Sequence, residues 1–539
     1  MTKEQSEPDA HLTNPREVST AVAEDGDLSS SAEIPASSQS DKFSHSSELS
    51  RAEQSALTTG EESAAVAAAS VFAAHLAGRA VERTEVEQLA RGLTDAARAT
   101  INPRRALTFV ARVAASLDKS DASVNLSEAS LAALVRLCSV SELFGEMLAS
   151  NPALISSLLT SAPVVAERDH RALLRAAVDA EKSFGGELAA LRRTWARLLI
   201  EIGACDAAGA ISMNESNTLQ SALAAASLNA AYLIARREMA RRYGKLDAGP
   251  RVSILGLGRL GSGGTDYGSD LDIVLIYDPI VPSPVAALTR EEAYARLGEL
   301  LVTALSNSTR DGYLYRVDMR LRPDGKNGPV AMGAEAFVNY LRERADVWEW
   351  LAYVKLRAVA GDLELGRGTE RDARGAIHGA ARKIDPELLR AETRRVRERL
   401  ERERAARTSA GTIDIKFGAG GMLDVYFAVR YLQLRDDVPD DEGDRSTRAT
   451  LNRLRAANSL DDKDHASLCD GYALLRTLDH HLRLLVGRST LLPVAEDHPV
   501  VRDLARRAGY GTVADLRSDL ALRMSRIRAA YDRITERMR

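Results

Sequence analysis

Two aspartates one residue apart at the start of an apolar run, Asp270 and Asp272, are the first feature of this sequence able to do chemistry. They follow a Gly/Ser turn in the segment Gly256-Leu-Gly-Arg-Leu-Gly-Ser-Gly-Gly-Thr-Asp-Tyr-Gly-Ser-Asp-Leu-Asp-Ile-Val-Leu-Ile. Alternation along a strand puts Asp270 and Asp272 on one face and Leu271, Ile273 and Leu275 on the other. Carboxylates on Cα atoms about 6 to 7 Å apart repel unless a cation lies between them. Magnesium suits that position, because it takes hard oxygen ligands and bridges carboxylates to phosphates. The turn before it can offer backbone N–H groups to those phosphates. A second candidate strand, Leu314-Tyr-Arg-Val-Asp-Met-Arg-Leu, alternates so that Arg316, Asp318, Arg320 and Arg322 share a face opposite Tyr315, Val317 and Met319. One carboxylate among three guanidiniums makes a poor core and a good polyphosphate site. Asp318 completes a metal triad there, and the arginines bind phosphate through forked hydrogen bonds. The competing readings are solvated aspartates opening a strand after a loop, and an exposed ladder of salt bridges.

The elements that must carry these residues are short strands set among helices. Val252-Ser-Ile-Leu-Gly and Leu271-Asp-Ile-Val-Leu-Ile-Tyr are β-branched runs bounded by Gly and Pro, the period changing near Pro250. Residues 290 to 306 read as a helix, and Pro323 closes the strand that begins at Leu314. Upstream, Leu131, Leu134, Val135 and Cys138 recur at helical spacing, as do Leu188, Leu191, Trp195 and Leu198. Downstream, helix returns after about 334, including a charged, solvated stretch at 386 to 407 and a Gly-rich break at 416 to 421. The expected fold is α+β, a small mixed β-sheet core embedded between N-terminal and C-terminal helical domains. Its divisions are a disordered acidic tail at 1–60, a helical region at 61–245, the core at 246–365 and a helical C-terminal domain at 366–539.

Bulk properties narrow the function. A chain of 539 residues exceeds one compact core, and a formal net charge of -4 lacks the basic excess of a nucleic-acid binder. Cys138, Cys205 and Cys469 are far apart and show no zinc or disulfide spacing, which favours a reducing cytoplasm. No uninterrupted apolar run is long enough to span a bilayer, so no membrane partner is expected. Trp348 and Trp350 read as core packing, and His480 and His481 as structural, since no metal-ligand partner lies near them.

The Gly-Ser turn, Asp-x-Asp and later strand carboxylate together resemble the DNA polymerase β-like nucleotidyltransferase superfamily. The wording Tyr267-Gly-Ser-Asp-Leu-Asp and Tyr315-Arg-Val-Asp-Met-Arg-Leu-Arg-Pro, with Gly325 and Gly328-Pro329, is similar to the glutamine synthetase adenylyltransferase and adenylyl-removing family. Trp348-Glu-Trp-Leu-Ala-Tyr-Val-Lys-Leu-Arg-Ala and Asp414-Ile-Lys-Phe-Gly-Ala-Gly-Gly-Met-Leu-Asp-Val fit the same family, and weaker echoes sit at Leu134 and Tyr472. The resemblance spans roughly residues 110 to 500.

It implies that Asp270, Asp272 and Asp318 are both catalytic and metal-binding, with Mg2+ and ATP as cofactors. Gly261, Ser262, Ser269, Arg320, Arg322 and Lys416 would contact the nucleotide. The implied reaction transfers AMP from ATP to a tyrosine of glutamine synthetase, or removes it phosphorolytically, in regulation of nitrogen assimilation. Glutamine synthetase would be the protein substrate and a nitrogen-signalling regulatory protein a further partner. Alternatives are a nucleotidyltransferase with another acceptor and a catalytically degenerate nucleotide-sensing scaffold. Two departures stand out: there is one Asp-x-Asp centre where the family ordinarily has two catalytic halves, and Tyr426 lies where an acidic residue is usual.

Overall fold

The structure, a computed structural model, describes residues 51–77, 81–120, 124, 126–247, 249, 251–308, 312–408, 411–440, 443–487 and 489–536. Five short strands form the main sheet: β1 (Val252–Gly256), β2 (Leu271–Tyr277), β3 (Val317–Asp318), β4 (Ala331–Gly333) and β5 (Arg357–Gly361). β1 is antiparallel to both β2 and β5, while β3 and β4 run parallel to β2 along its other edge. β3 lies beside residues 271–272 and β4 beside residues 275–277, so two short strands share that edge end to end. A separate antiparallel pair joins β6 (Thr412–Asp414) to β7 (Leu491–Pro493). The α+β class and the mixed sheet set among helices are as the sequence predicts.

Every residue of β2 is buried, and its alternation feeds two different cores. Leu271, Ile273, Leu275 and Tyr277 pack with the upstream helices and with the helix Arg290–Ser306, whereas Val274 and Ile276 pack with downstream helices from Ala334 to Ile534. The sheet is therefore a middle layer between two helical layers. Asp270 and Asp272 continue the row of Val274 and Ile276, on the face turned to the C-terminal helices.

The predicted helix at 290–306 is present with those bounds, started by a reciprocal capping box between Thr289 and Glu292. Leu131, Leu134, Val135 and Cys138 are buried in Glu128–Val140, and Leu188, Leu191 and Leu198 in Phe184–Ala207. The charged stretch forms the helix Pro386–Ala405, but it is not wholly solvated: Leu389, Val396, Leu400 and the guanidinium of Arg397 are buried. Of the expected acidic tail, residues 1–50 lie outside the described residues, and a helix, Arg51–Ala77, begins at residue 51. The helix Met213–Tyr243 is long and apolar enough to cross a membrane, yet 61% of its apolar stretch is buried inside the protein.

The largest departure concerns the strand expected from Leu314 to Leu321. Only Val317 and Asp318 pair with β2. The backbone N–H of Arg320 donates to Oδ1 of Asp318 at 2.8 Å, so the aspartate turns the chain two residues on and ends the strand. Beyond Asp318 the alternation that would have aligned Arg320 and Arg322 with it does not operate.

Candidate active site

In the β2–β3 pair, Asp272 and Asp318 are register partners, as are Leu271 and Val317. Paired residues of neighbouring strands lie about 4.8 Å apart and project from the same face. Val317 packs on the N-terminal core with Leu271, which leaves Asp318 on the face of Asp272. Asp270 and Asp272 are 7% and 5% exposed, so water does little to screen charge here.

Asp272 and Asp318 on neighbouring strands, with Asp270 just ahead of β2, are hard-oxygen donors of the kind magnesium takes. Among the described residues, however, no three His, Cys, Asp or Glu side chains stand ready around an ion. Arg320 grips Asp318, with Nε 3.0 Å from each carboxylate oxygen and Nη2 2.5 Å from Oδ2. The donor chemistry fits, provided Arg320 gives up that carboxylate.

Arg322 has a different task from the one expected. Its guanidinium donates to the backbone carbonyls of Met319, Lys326 and Gly328 and so closes the turn after β3. The approach to β3 is held from the upstream layer: the fully buried Arg192 donates to the carbonyls of Asn307 and Gly312, and Trp195 meets Tyr315 edge-on at 5.5 Å.

The turn ahead of Asp270 is a short helix, Gly258–Ser262, followed by a tightly self-bonded loop. A side chain at Gly261 would lie 2.3 Å from the Lys355 carbonyl oxygen, which gives this glycine a packing reason to be there. Ser262 Oγ donates to the Arg259 carbonyl, and Ser269 Oγ accepts from the Asp266 N–H. The N–H groups of Gly261, Gly263, Gly264, Thr265 and Tyr267 are also donated within the protein. Much of the backbone read as a phosphate cradle is therefore occupied in this state. Lys416 follows β6, outside the main sheet. It is buried, and its ammonium lies 5.2 Å from the centroid of the Phe417 ring.

A charge network beneath the loop escaped the motif reading. Asp266 accepts from Nδ1 of His480 at 2.9 Å, and the other ring nitrogen lies 3.1 Å from Asp206. Burial alone would push this imidazole down. Asp266 and Asp206 more than reverse that and raise it to about 10, so it is a charged bridge. His481 beside it is pushed down to about 3 by burial and by Arg507. Asp479 is held down at about 2, because Arg259, Arg483 and Arg476 outweigh the opposing effect of burial. Arg476, Asp479, His480 and Arg483 recur at helical spacing on the helix Asp462–Val486. A charged stripe on a helix that also carries buried leucines was the available signal.

Trp350 is buried and donates to the Leu341 carbonyl, whereas Trp348 is only half-buried. The Gly-rich break at 416–421 is closed by Asp424, which accepts from Arg397 at 2.5 Å and from the Gly420 N–H at 2.6 Å. Tyr426 is half-buried beside Tyr472, their hydroxyls 3.4 Å apart.

Comparison with known proteins identifies the family. The family model for glutamate-ammonia ligase adenylyltransferase matches residues 131–372, and that for GlnD PII-uridylyltransferase matches residues 390–535. Three bifunctional glutamine synthetase adenylyltransferase/adenylyl-removing enzymes are similar. That of Thioalkalivibrio sulfidiphilus is 30% identical over 79% of this chain and 46% of its own length. The Xanthobacter autotrophicus protein is 31% identical over 73% of this chain and 40% of its own length. The Xanthomonas campestris protein is 34% identical over 65% and 38%. The aligned stretch thus spans under half the length of each relative.

Proposed function

Because the chain belongs to the glutamine synthetase adenylyltransferase and adenylyl-removing family, matching one half of its relatives, we propose that it is a nucleotidyltransferase that moves an adenylyl group between ATP and a tyrosine of glutamine synthetase. The observation that carries this reading is the pairing of Asp272 with Asp318 on one sheet face, with Asp270 one alternation away. Asp270, Asp272 and Asp318 would hold magnesium, which when bound neutralises phosphate charge and orients the reacting groups. Asp318 would join that set only on releasing Arg320, whose guanidinium would then be available to the triphosphate.

In the forward direction the tyrosine oxygen bonds to the α-phosphorus of ATP, the bond to the β-phosphate oxygen breaks, and pyrophosphate leaves. A carboxylate of the cluster takes the hydroxyl proton. In the removing direction an oxygen of inorganic phosphate bonds to the phosphorus of the adenylyl group, the bond from that phosphorus to the tyrosine oxygen breaks, the tyrosine regains its proton, and ADP leaves. The burial of Asp270 and Asp272 strengthens the electrostatic part of either step. The match of residues 390–535 to a PII-uridylyltransferase model supports a nitrogen-signalling protein as regulatory partner, and a cytoplasmic setting is part of the same proposal.

Incubation with labelled ATP, magnesium and purified glutamine synthetase tests the assignment. Label on a tyrosine of glutamine synthetase is the expected result, with Asp272→Asn abolishing it. Label only on other acceptors would replace the substrate, and full turnover by Asp272→Asn would overturn the site. Release of ADP from adenylylated glutamine synthetase and phosphate reads the opposite direction.

A further inference from the structure

The downstream helix Asp462–Val486 reaches across the molecule to the loop that precedes Asp270. Arg483 Nη1 donates to the Tyr267 carbonyl at 3.1 Å, and His480 Nδ1 lies 2.9 Å from Asp266 Oδ1. Arg259, at the start of the same loop, donates to Asp479 at 2.5 Å. Asp479 also accepts from Arg476 and Arg483, so one carboxylate gathers three guanidiniums. The grip extends to the upstream layer as well. Asp206 lies 3.1 Å from the far nitrogen of His480 and accepts from the Tyr267 hydroxyl at 2.7 Å, and Arg476 donates to Asn217 at 2.7 Å.

All of these groups are buried: Asp479 is 0% exposed, His480 1% and Asp266 2%. An array of this kind is a poor source of net stability, because desolvation offsets much of the attraction between the charges. What it supplies is geometry. Each loop contact is directional, and together they fix the backbone from Arg259 to Tyr267, three residues ahead of the first carboxylate.

We propose that Arg476, Asp479, His480 and Arg483 are positioning residues, through which the C-terminal helical layer sets the loop that places Asp270 and Asp272. This rests on the reading that those two aspartates serve the nucleotide. None of the four is assigned a contact with substrate. They act through Asp266, Arg259 and the Tyr267 carbonyl, and a displacement of the 462–486 helix would reach the aspartates by this route. The charge on His480, retained to about pH 10 against the pull of burial because Asp266 and Asp206 flank it, keeps the bridge in place across the physiological range.

The experiment compares His480→Gln and Arg483→Lys with Leu468→Ala in the full chain. Leu468 is a fully buried residue of the same helix, three turns from His480, and its truncation costs stability without touching the network. Amide exchange is followed by mass spectrometry over residues 263–269 and over β1, and KM is measured separately for ATP and for the protein acceptor. Expected for His480→Gln and Arg483→Lys is at least tenfold faster exchange in 263–269 with β1 unchanged, and a KM for ATP raised at least fivefold with the acceptor KM unchanged. Leu468→Ala should leave both loop readouts as in the wild type.

Loop exchange in both network variants equal to that of Leu468→Ala would overturn the proposal. Arg483→Lys keeps the charge and loses only the fork, so it decides the matter where His480→Gln does not fold. The exchange readout requires no catalysis. If the loop loosens while the wild type transfers no AMP to any acceptor, the positioning role stands and the assigned reaction falls.

Discussion

Asp318 holds the most informative contacts in the site, because its present partner is the residue two positions on. Nε and Nη2 of Arg320 and its backbone N–H all donate to that carboxylate. A hydrogen bond to a charged group contributes about 1.5–3 kcal/mol net of solvent, so an ion needing Asp318 must displace a real competitor. Arg320→Ala should therefore bind magnesium roughly tenfold more tightly, the equivalent of about 1.4 kcal/mol. On the proposed reading, in which Arg320 meets the triphosphate, it should also turn over more slowly. Calorimetric titration with magnesium checks this, and an affinity unchanged or weakened would mean that Asp318 is not a ligand. Glu349 offers a second test at this scale. It is 5% exposed, accepts from Tyr340 at 2.6 Å and has its carboxyl raised to about 7 by burial. A folded-state value above the unfolded one means that the folded protein holds the proton more tightly. The corresponding stability is complete below about pH 4.5 and is lost as pH rises through 7. Glu349→Gln keeps the shape and removes the titration. Its melting temperature relative to wild type should therefore climb between pH 5 and pH 8, and a constant difference would show that this carboxyl is ordinary.

Elements with sustained periodicity were legible from the sequence, and elements decided by one side chain were not. The 290–306 helix carries both its apolar stripe and its capping box in the local sequence, and both are present. β2 was legible because six of its seven residues, all but Asp272, are apolar or aromatic and suit a buried strand. β3 was overextended because alternation continued to Arg322, while the turn that ends the strand depends on the Asp318 carboxylate accepting a backbone N–H. Period alone does not reveal that competition. Asp270, Asp272 and Asp318 could be picked out by type and spacing. The bridge from Asp266 to His480 joins residues 214 positions apart: the charged stripe on the helix Asp462–Val486 marks one end of it, and nothing local names the partner. The loop helix Gly258–Ser262 supplies the prediction at this scale. A methyl group at position 261 would lie 2.3 Å from the Lys355 oxygen and 2.7 Å from the Gly256 oxygen, both backbone atoms that can move only with their segments. Overpacking of this kind typically costs about 1–3 kcal/mol. Gly261→Ala should lose about that much in denaturant unfolding, and a variant as stable as wild type would show that this turn is not packed against the Lys355 carbonyl.

At the scale of the whole molecule the sheet separates two apolar cores, and buried charge joins the layers across it. Asp206 belongs to the upstream helix Phe184–Ala207, Asp266 to the loop and His480 to the downstream helix Asp462–Val486, so one imidazolium ties three parts of the chain. That arrangement gives the fold a pH dependence of definite sign. His480 is raised from an ordinary 6.5 to about 10, so the folded protein keeps a proton that the unfolded chain releases. The stability linked to this proton is complete below pH 6.5 and drains away as pH rises through 10. Lys355 works in the opposite sense over the upper part of the same window. Burial lowers it to about 8 despite its contacts with Asp440 and Thr450, so the folded state sheds a proton that the unfolded chain holds to about 10.5, and stability rises with pH. The raw melting curve mixes the two, and the difference between wild type and His480→Gln isolates the first. That difference should be largest near pH 6 and shrink steadily toward pH 10, with Asp206 and Asp266 still ionised throughout. A difference that stayed flat from pH 6 to pH 10 would mean that His480 is neutral in the folded protein, and that the layers are held together without it.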